Sequence, residues 1–286
     1  MAGVLACPEC GGAMRSYDRS LRCANRHSFD IARQGYISLL TGASTKMTGD
    51  TAAMLDARAA FQAGSHFAPI AAAVTRALGV GETHPPAGGP GLPIVDIVLE
   101  MGAGTGYYLA QVLDVLPQAL GIALDVSKAA GRRCARAHPR AASVVADAWQ
   151  GLPVRDHALY AALSVFAPRN PAAVARSLRP DGRYVVVTPT AEHLRELVGP
   201  LGMVTVEPDK EQRLGSAMSG HFDLIDRTTV AYPMQLTRAD ITRLVAMGPS
   251  AHHVDAAAAS VGALPERYEA TASVIVSSYR PTVAAT

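Results

Sequence analysis

The chain has 286 residues, 49% of them hydrophobic, and a formal net charge of +2. That length accommodates one sizeable core plus an appendage, because single domains run to roughly 100–250 residues. The near-balance of charge excludes a bulk polycation, and no run reaches the ~18 apolar residues of a membrane span, so any nucleic-acid contact must come from local basic groups.

The opening, MAGVLACPEC, has no charged leader region and too short an apolar run for an export signal. A cytoplasmic chain is expected. Three of the four cysteines fall within the first 23 residues, which without an export signal suggests metal binding rather than disulfides. Cys7, Cys10, Cys23 and His27 have the spacing C-x2-C-x12-C-x3-H. Zinc takes four soft or borderline donors in a tetrahedron, and a two-residue gap lets two thiolates turn back onto one ion. A redox CxxC would not need the second pair. With all four positions filled by protein, a structural Zn2+ is expected rather than a catalytic one. Arg15, Arg19, Arg22, Arg26 and Arg33 surround this module. They read either as phosphate contacts or as a solvated surface beside Asp18 and Asp30.

Residues 52–78 have apolar side chains at helical spacing (Met54, Leu55, Ala59, Phe61). Residues 81–93, GETHPPAGGPGLP, read as a surface loop or linker. The predicted organisation is a zinc-binding module at 1–40, a candidate for RNA recognition, then a helical linker region at 41–93 and a larger domain at 94–286.

From residue 94 short apolar runs alternate with helical stretches. The runs are 94–101, 119–125, 142–147, 158–167 and 183–189, and the helices are 107–116, 127–137 and 171–178. Strands without polar alternation are buried on both faces, which predicts a parallel α/β sheet with crossover helices. RTTVAYPM and ASVIVSSYR read as later strands, with a helix at 237–247 between them.

The strongest local motif is VLEMGAGTGYYL, which places Glu100 and then Gly102, Gly104 and Gly106 between a buried strand and a helix. Glycines let a backbone turn sharply and approach a ligand closely. Asp125 ends the next strand, where an acid accepts hydrogen bonds from ribose hydroxyls. Asp147 ends the third, where it or the adjacent backbone would receive an adenine amino group. An NAD site would share Asp125, but Glu100 before a G-x-G-x-G loop fits a Rossmann-like S-adenosylmethionine-dependent methyltransferase better. A P-loop is excluded, because no Gly-Lys-Ser/Thr follows. The blander alternatives are a helix N-cap for Asp125, a job Ser127 can do itself, and a turn residue for Asp147.

The nucleophile is supplied by the acceptor. After the fourth strand the chain reads SVFAPRN where exocyclic-amine methyltransferases often carry Asn/Asp-Pro-Pro-aromatic. That argues against an exocyclic amine. The spare Cys134 lies in a helix and reads as packing, which argues against carbon-5 of a pyrimidine. A ring nitrogen or an oxygen remains. Arg169 is the candidate to stabilise charge on the acceptor. The strip Lys128 to Arg140, basic and without an acid, is either a contact surface or a solvated helix face.

CPECGGAMRSYDRSLRCANRHSFDIARQGYISLL, DTAAMLDARAAFQAGSHFAPI, MGAGTGYYL, ALDVSKAA and TPTAEHLREL together resemble the large-subunit rRNA (guanine-N1)-methyltransferases, over almost the whole chain. The resemblance implies methyl transfer from S-adenosylmethionine to N1 of a guanine in a 23S rRNA hairpin, by a homodimer whose paired clefts take up RNA. It implies no membrane or DNA partner. It also implies zinc on Cys7, Cys10, Cys23 and His27, and cofactor contacts at Phe67, Thr105, Gly106 and His193. Other members have tyrosine where Phe67 stands, so only ring packing would be kept there. The housekeeping branch modifies guanine 745. The GAGTG loop and the arginine- and alanine-rich composition tilt the reading to the branch that modifies guanine 748 and gives macrolide resistance. Two rivals stay open: a small-molecule methyltransferase of antibiotic biosynthesis, and an RNA-binding protein without activity.

Overall fold

The computed structural model describes residues 1–42, 45, 47–79, 95–167, 169–203, 210–248 and 260–282. The Gly/Pro-rich stretch 81–93 lies outside the described residues. No helix among the described residues is long and apolar enough to cross a membrane.

Three short antiparallel strands, β1 (Met14–Tyr17), β2 (Ser20–Cys23) and β3 (Ser28–Asp30), form a separate sheet near the N-terminus. The chain then lays β4 (Tyr36–Ser38) parallel to the edge of a second, larger sheet. Helices α1 (Ala52–Ala63) and α2 (Ala68–Ala77) follow. The single helix expected over 52–78 is broken at Gly64–Phe67, where Ser65 takes a left-handed φ of 59° and turns the chain.

The larger domain contributes β5 (Ile97–Met101), α3 (Tyr107–Val115), β6 (Leu120–Asp125), α4 (Lys128–Cys134), β7 (Ala141–Val145), β8 (Leu159–Val165), α5 (Pro171–Ser177) and β9 (Leu178–Pro189). Then come α6 (Arg195–Leu201), α7 (Lys210–Met218), β10 (Phe222–Thr237), α8 (Arg238–Ala246) and β11 (Arg267–Pro281). The eight strands run β10-β11-β9-β8-β5-β6-β7-β4. Those from β4 to β9 pair in parallel, while β11 is antiparallel to both β9 and β10. This is the Rossmann-like α/β sheet expected, with the order reversing beside β5. In open α/β sheets such a switch point, at the carboxyl ends of the strands, is where ligands bind.

The apolar runs are buried because both faces of the sheet are covered. Along β5, Val98 enters one core layer with Phe61, Phe67 and Leu163. Ile97, Leu99 and Met101 enter the opposite layer with Val174 and Leu214. The second layer also holds Leu5, Met14 and Leu21, so the N-terminal sheet is seated on the larger domain rather than tethered to it. Main-chain bonds reinforce the seat: Ala6 donates to Pro153 at 3.0 Å and Arg155 to Val4 at 2.9 Å. Phe61, Ile70, Val74 and Leu78, within or just after α1 and α2, are fully buried in the core layer shared with the sheet.

Several basic side chains do structural work. Arg140 donates to the carbonyls of Leu113, Leu116 and Ala119, tying the end of α3 to the turn before β6. Arg133 pairs with Asp56 of α1. Two arginines of the basic strip are thereby tied to the fold itself.

Candidate active site and metal centre

The C-x2-C turn brings Cys7 and Cys10 together on a knuckle closed by the Gly11 amide bonding to the Cys7 carbonyl at 2.8 Å. Cys23 ends β2 and His27 follows one turn later, with Arg26 in a left-handed conformation at φ 67°. The four donor atoms all lie within 4.8 Å of one another. Cys10 Sγ and Cys23 Sγ are 3.7 Å apart, and His27 Nδ1 is 3.5 Å from Cys7 Sγ and 3.4 Å from Cys23 Sγ. Zn–S bonds of about 2.3 Å and Zn–N bonds of about 2.0 Å give tetrahedron edges of about 3.5–3.8 Å. The donor set therefore fits zinc. The Cys10 thiol is lowered to about 6, first by the Gly12 amide and then by His27, in the direction of the thiolate a metal needs.

The glycine loop sits between β5 and α3. Gly104 and Gly106 have φ of 56° and 77°, and a Cβ on them would lie 2.8 Å from Arg58 Nη1 and 2.7 Å from Ala137 Cβ. Only glycine permits both the backbone and the close approach. The Asp125 carboxylate secures the loop, accepting the Gly104 N–H at 2.9 Å on one oxygen and the Ser127 N–H at 2.9 Å on the other. Burial raises its pKa, while the Ser127 and Gly104 amides work in the opposite direction. Ser127 itself caps α4, accepting from Ala129 and Ala130. Asp125 thus has work beyond the cap, and each of its oxygens keeps acceptor capacity for a hydroxyl.

Glu100 is buried inside β5 and accepts the Leu109 N–H at 3.0 Å. Burial pushes its carboxyl up to about 8, with the nearby Asp125 acting in the same direction. An unfolded glutamate titrates near 4.5, so between these values the native state holds more protons than the unfolded chain. The stability linked to Glu100 is thus complete below the unfolded value and is lost as pH rises towards 8. A Glu100→Gln protein should lose less melting temperature than wild type between about pH 5 and pH 8. Parallel melting curves by differential scanning fluorimetry would refute this assignment.

Asp147 follows β7. Its carboxylate accepts from Thr45 Oγ1 at 2.6 Å, from the Trp149 amide at 2.9 Å and from Gln150 Nε2 at 3.1 Å. Burial acts to raise its pKa, but these donors outweigh it and the net shift is downward. The turn role considered as the alternative is one the side chain does perform.

The other half of the site is aromatic. Phe67, at the start of α2, lies with its ring centroid 6.3 Å from His193 and 6.2 Å from Phe166. Phe166 stacks on His193 at 5.7 Å with 27° between the ring planes. His193 Nδ1 accepts the Ser273 N–H at 3.1 Å, which puts the proton of the neutral ring on Nε2. Arg169 is half-buried and its charge acts on Tyr184. Tyr184 belongs to the core layer on the opposite face of the sheet from Phe67.

Sequence reasoning did not single out three residues that complete the site. Gln62 is buried at the end of α1 and accepts the Thr105 hydroxyl at 2.7 Å. Arg58 pairs with Asp50 and donates to the Met247 carbonyl at 2.7 Å, lying over Gly104. Phe166 is the third. A glutamine within an alanine-rich apolar helix was the available signal for the first. Cys134, buried as expected, donates to the Gly104 carbonyl at 3.4 Å, so its packing role is to back the glycine loop.

These parts fit S-adenosylmethionine. A glycine cradle opens at a sheet switch point, a buried acid reaches its edge, and an aromatic group stands opposite. Comparison with known proteins bears on the family. Residues 5–44 match the zinc-ribbon family model described as RlmA, N-terminal. A protein of Micromonospora griseorubida named as a 23S rRNA (guanine-N1)-methyltransferase is 48% identical, over 97% of each chain. The 23S rRNA (guanine(748)-N(1))-methyltransferase of Streptomyces fradiae is 45% identical, over 97% of this chain and 96% of the relative. A chain from the Haloferax volcanii complex of the Trm112 methyltransferase activator with a methyltransferase superposes with a TM-score of 0.50. It is 14% identical and covers 83% of this chain and 100% of that one, a likeness of fold. Identity of this extent over nearly the full length, with all four metal donors in place, means that the chain belongs to the 23S rRNA (guanine-N1)-methyltransferase family.

Proposed function

We propose that this protein transfers a methyl group from S-adenosylmethionine to N1 of guanine 748 in a 23S rRNA hairpin, and so confers resistance to macrolides such as tylosin and mycinamicin. The observation that carries the reading is the glycine loop after β5, secured by Asp125, together with the aromatic group of Phe67, Phe166 and His193, the last two just beyond the ends of β8 and β9. The Streptomyces fradiae relative, named for guanine 748, supports the choice of base. The reading takes the protein to act in the cytoplasm as a homodimer, on RNA rather than DNA.

When bound, S-adenosylmethionine supplies a methyl group already activated on a sulfonium. The chain's own residues bind, orient and exclude water. Asp125 takes the ribose hydroxyls, Gly104 and Gly106 let the backbone come close, and Phe67 and His193 wall the methionine end. Held there, the donor would pass its methyl to N1 and keep the bonding electron pair on sulfur. The N1 proton, which must be lost before the lone pair can attack, passes to bulk solvent outside the site. N1 is hidden in a Watson–Crick pair, so the guanine must be unpaired or extruded to reach the edge.

RNA contact is supported at the zinc module. Arg15, Arg19, Arg22, Arg26 and Arg33 are all exposed, and the Arg22 guanidinium lies 3.9 Å over the exposed Tyr17 ring. Such arginine-on-aromatic surfaces suit phosphates and unstacked bases. An open polar cleft of about 830 Å³ joins the module to the sheet edge, lined by Pro8, Leu39, Thr41, Asp147 and Arg155 among others.

N1-methylguanine blocks reverse transcriptase. Primer extension on 23S rRNA from cells carrying the gene should gain one stop, a nucleotide short of guanine 748, together with tylosin resistance. A stop at guanine 745 would reassign the base, and no new stop would overturn the reading.

A further inference from the structure

The turn after β8 contains a residue whose conformation and exposure both run against its chemistry. Phe166 has a φ of 54°, a left-handed conformation that a bulky side chain rarely adopts, and it remains 41% exposed. The surroundings over-determine this placement. The Phe166 amide bonds to the Val187 carbonyl at 3.2 Å, and Ser164 Oγ donates to the Ala167 carbonyl at 3.1 Å. Leu194 is the other apolar residue with a left-handed φ among those described, at 59°, and it directly follows His193. One strained apolar residue therefore belongs to the Phe166–His193 ring pair and the other adjoins it in sequence. Strain held by the surrounding structure concentrates at functional sites.

We propose that Phe166 is the platform on which the extruded target guanine stacks. The inference rests on the function proposed above and names the protein group that receives the substrate base. The His193 ring lies 5.7 Å from the Phe166 ring with 27° between their planes, and the Ser273 amide donates to His193 Nδ1. The left-handed turn holds the ring at the carboxyl end of β8, beside the cofactor-side aromatics rather than in the core. A purine laid on its exposed face extends the stack, with Phe166 between it and His193, at the strand end where the methyl would be delivered. Stacking reads a flat π-face, so it captures and orients the base, while hydrogen bonds elsewhere choose guanine.

The test uses full-length, zinc-loaded protein and a 23S rRNA transcript, with single-turnover transfer of labelled methyl and calorimetry of S-adenosylhomocysteine. Phe166→Leu keeps apolar volume and removes the π-face; Phe166→Tyr restores it. Single-turnover efficiency of Phe166→Leu should fall about 10- to 100-fold, the range of one base–aromatic stack, with a weaker apparent affinity for RNA. Its S-adenosylhomocysteine affinity should fall far less than its single-turnover efficiency, and Phe166→Tyr should recover to within about threefold. A Phe166→Leu enzyme of full efficiency overturns the proposal. So does one whose loss is matched by lost S-adenosylhomocysteine binding, since Phe166 would then serve the cofactor. Wild-type protein that methylates no rRNA would instead overturn the function itself, and the platform with it.

Discussion

Asp125→Ala should weaken S-adenosylhomocysteine binding by at least about 100-fold, measured by calorimetry on the zinc-loaded protein. Two losses combine. The carboxylate holds the Gly104 and Ser127 amides at 2.9 Å each, and alanine leaves both donors without it. A hydrogen bond to a charged group contributes roughly 1.5–3 kcal/mol, so a preorganised loop and the ribose contacts disappear together. Two such bonds suffice for the predicted factor, at about 1.4 kcal/mol per tenfold. Asp125→Asn keeps one acceptor oxygen and should fall between. Its amide donates, however, where the Gly104 or Ser127 amide also donates, so one of the two bonds is replaced by a clash of donors. Alanine-substituted protein that binds within about fivefold of wild type would show that Asp125 only shapes the turn.

Removing zinc should separate RNA methylation from cofactor binding. The N-terminal sheet consists of strands of four, four and three residues, too short to hold without the metal. Structural zinc contributes about 10–16 kcal/mol to comparable small folds. Chelation, or Cys23→Ser, should therefore expose the amides of β1 and β2 to rapid hydrogen exchange. Transfer to the rRNA transcript should drop about 100-fold or more, through lost phosphate and base contacts from the arginine-bearing module. S-adenosylhomocysteine binding should change far less, because the module packs into the core layer of Leu99 and Met101 while the Phe67 side of the cofactor site lies in the other layer. Restored zinc should restore transfer in the chelated wild type. Chelated protein with full transfer would remove the module from RNA recognition, and equal loss of both functions would show that the two parts fold as one unit.

Residues 97–165 show how far the sequence reaches. The apolar runs there became β5, β6, β7 and β8 with ends shifted by a few residues, because burial on both faces leaves a continuous apolar signal. The four metal donors were equally legible, since chelation by a short chain demands a fixed spacing. Other features gave no such signal. β4 is a three-residue strand, Tyr-Ile-Ser, whose place in the large sheet comes from pairing with β7 and not from any pattern of its own. The break between α1 and α2 depends on Ser65 adopting a conformation that its residue type does not dictate. β9 begins at Leu178, ahead of the run from 183 on which it was expected, because it continues directly from α5.

The candidate site divides in the same way. The sequence by itself determined the α/β architecture, the zinc donors, the glycine loop and the strand-end acids, because each is a local requirement of backbone geometry or coordination chemistry. Only the tertiary structure decided what those residues touch. It brought Gln62 to Thr105, Arg58 over Gly104 and Phe166 against His193. Those partners lie tens of residues apart, and their meeting depends on how the helices close over the sheet, which no local pattern of residues encodes.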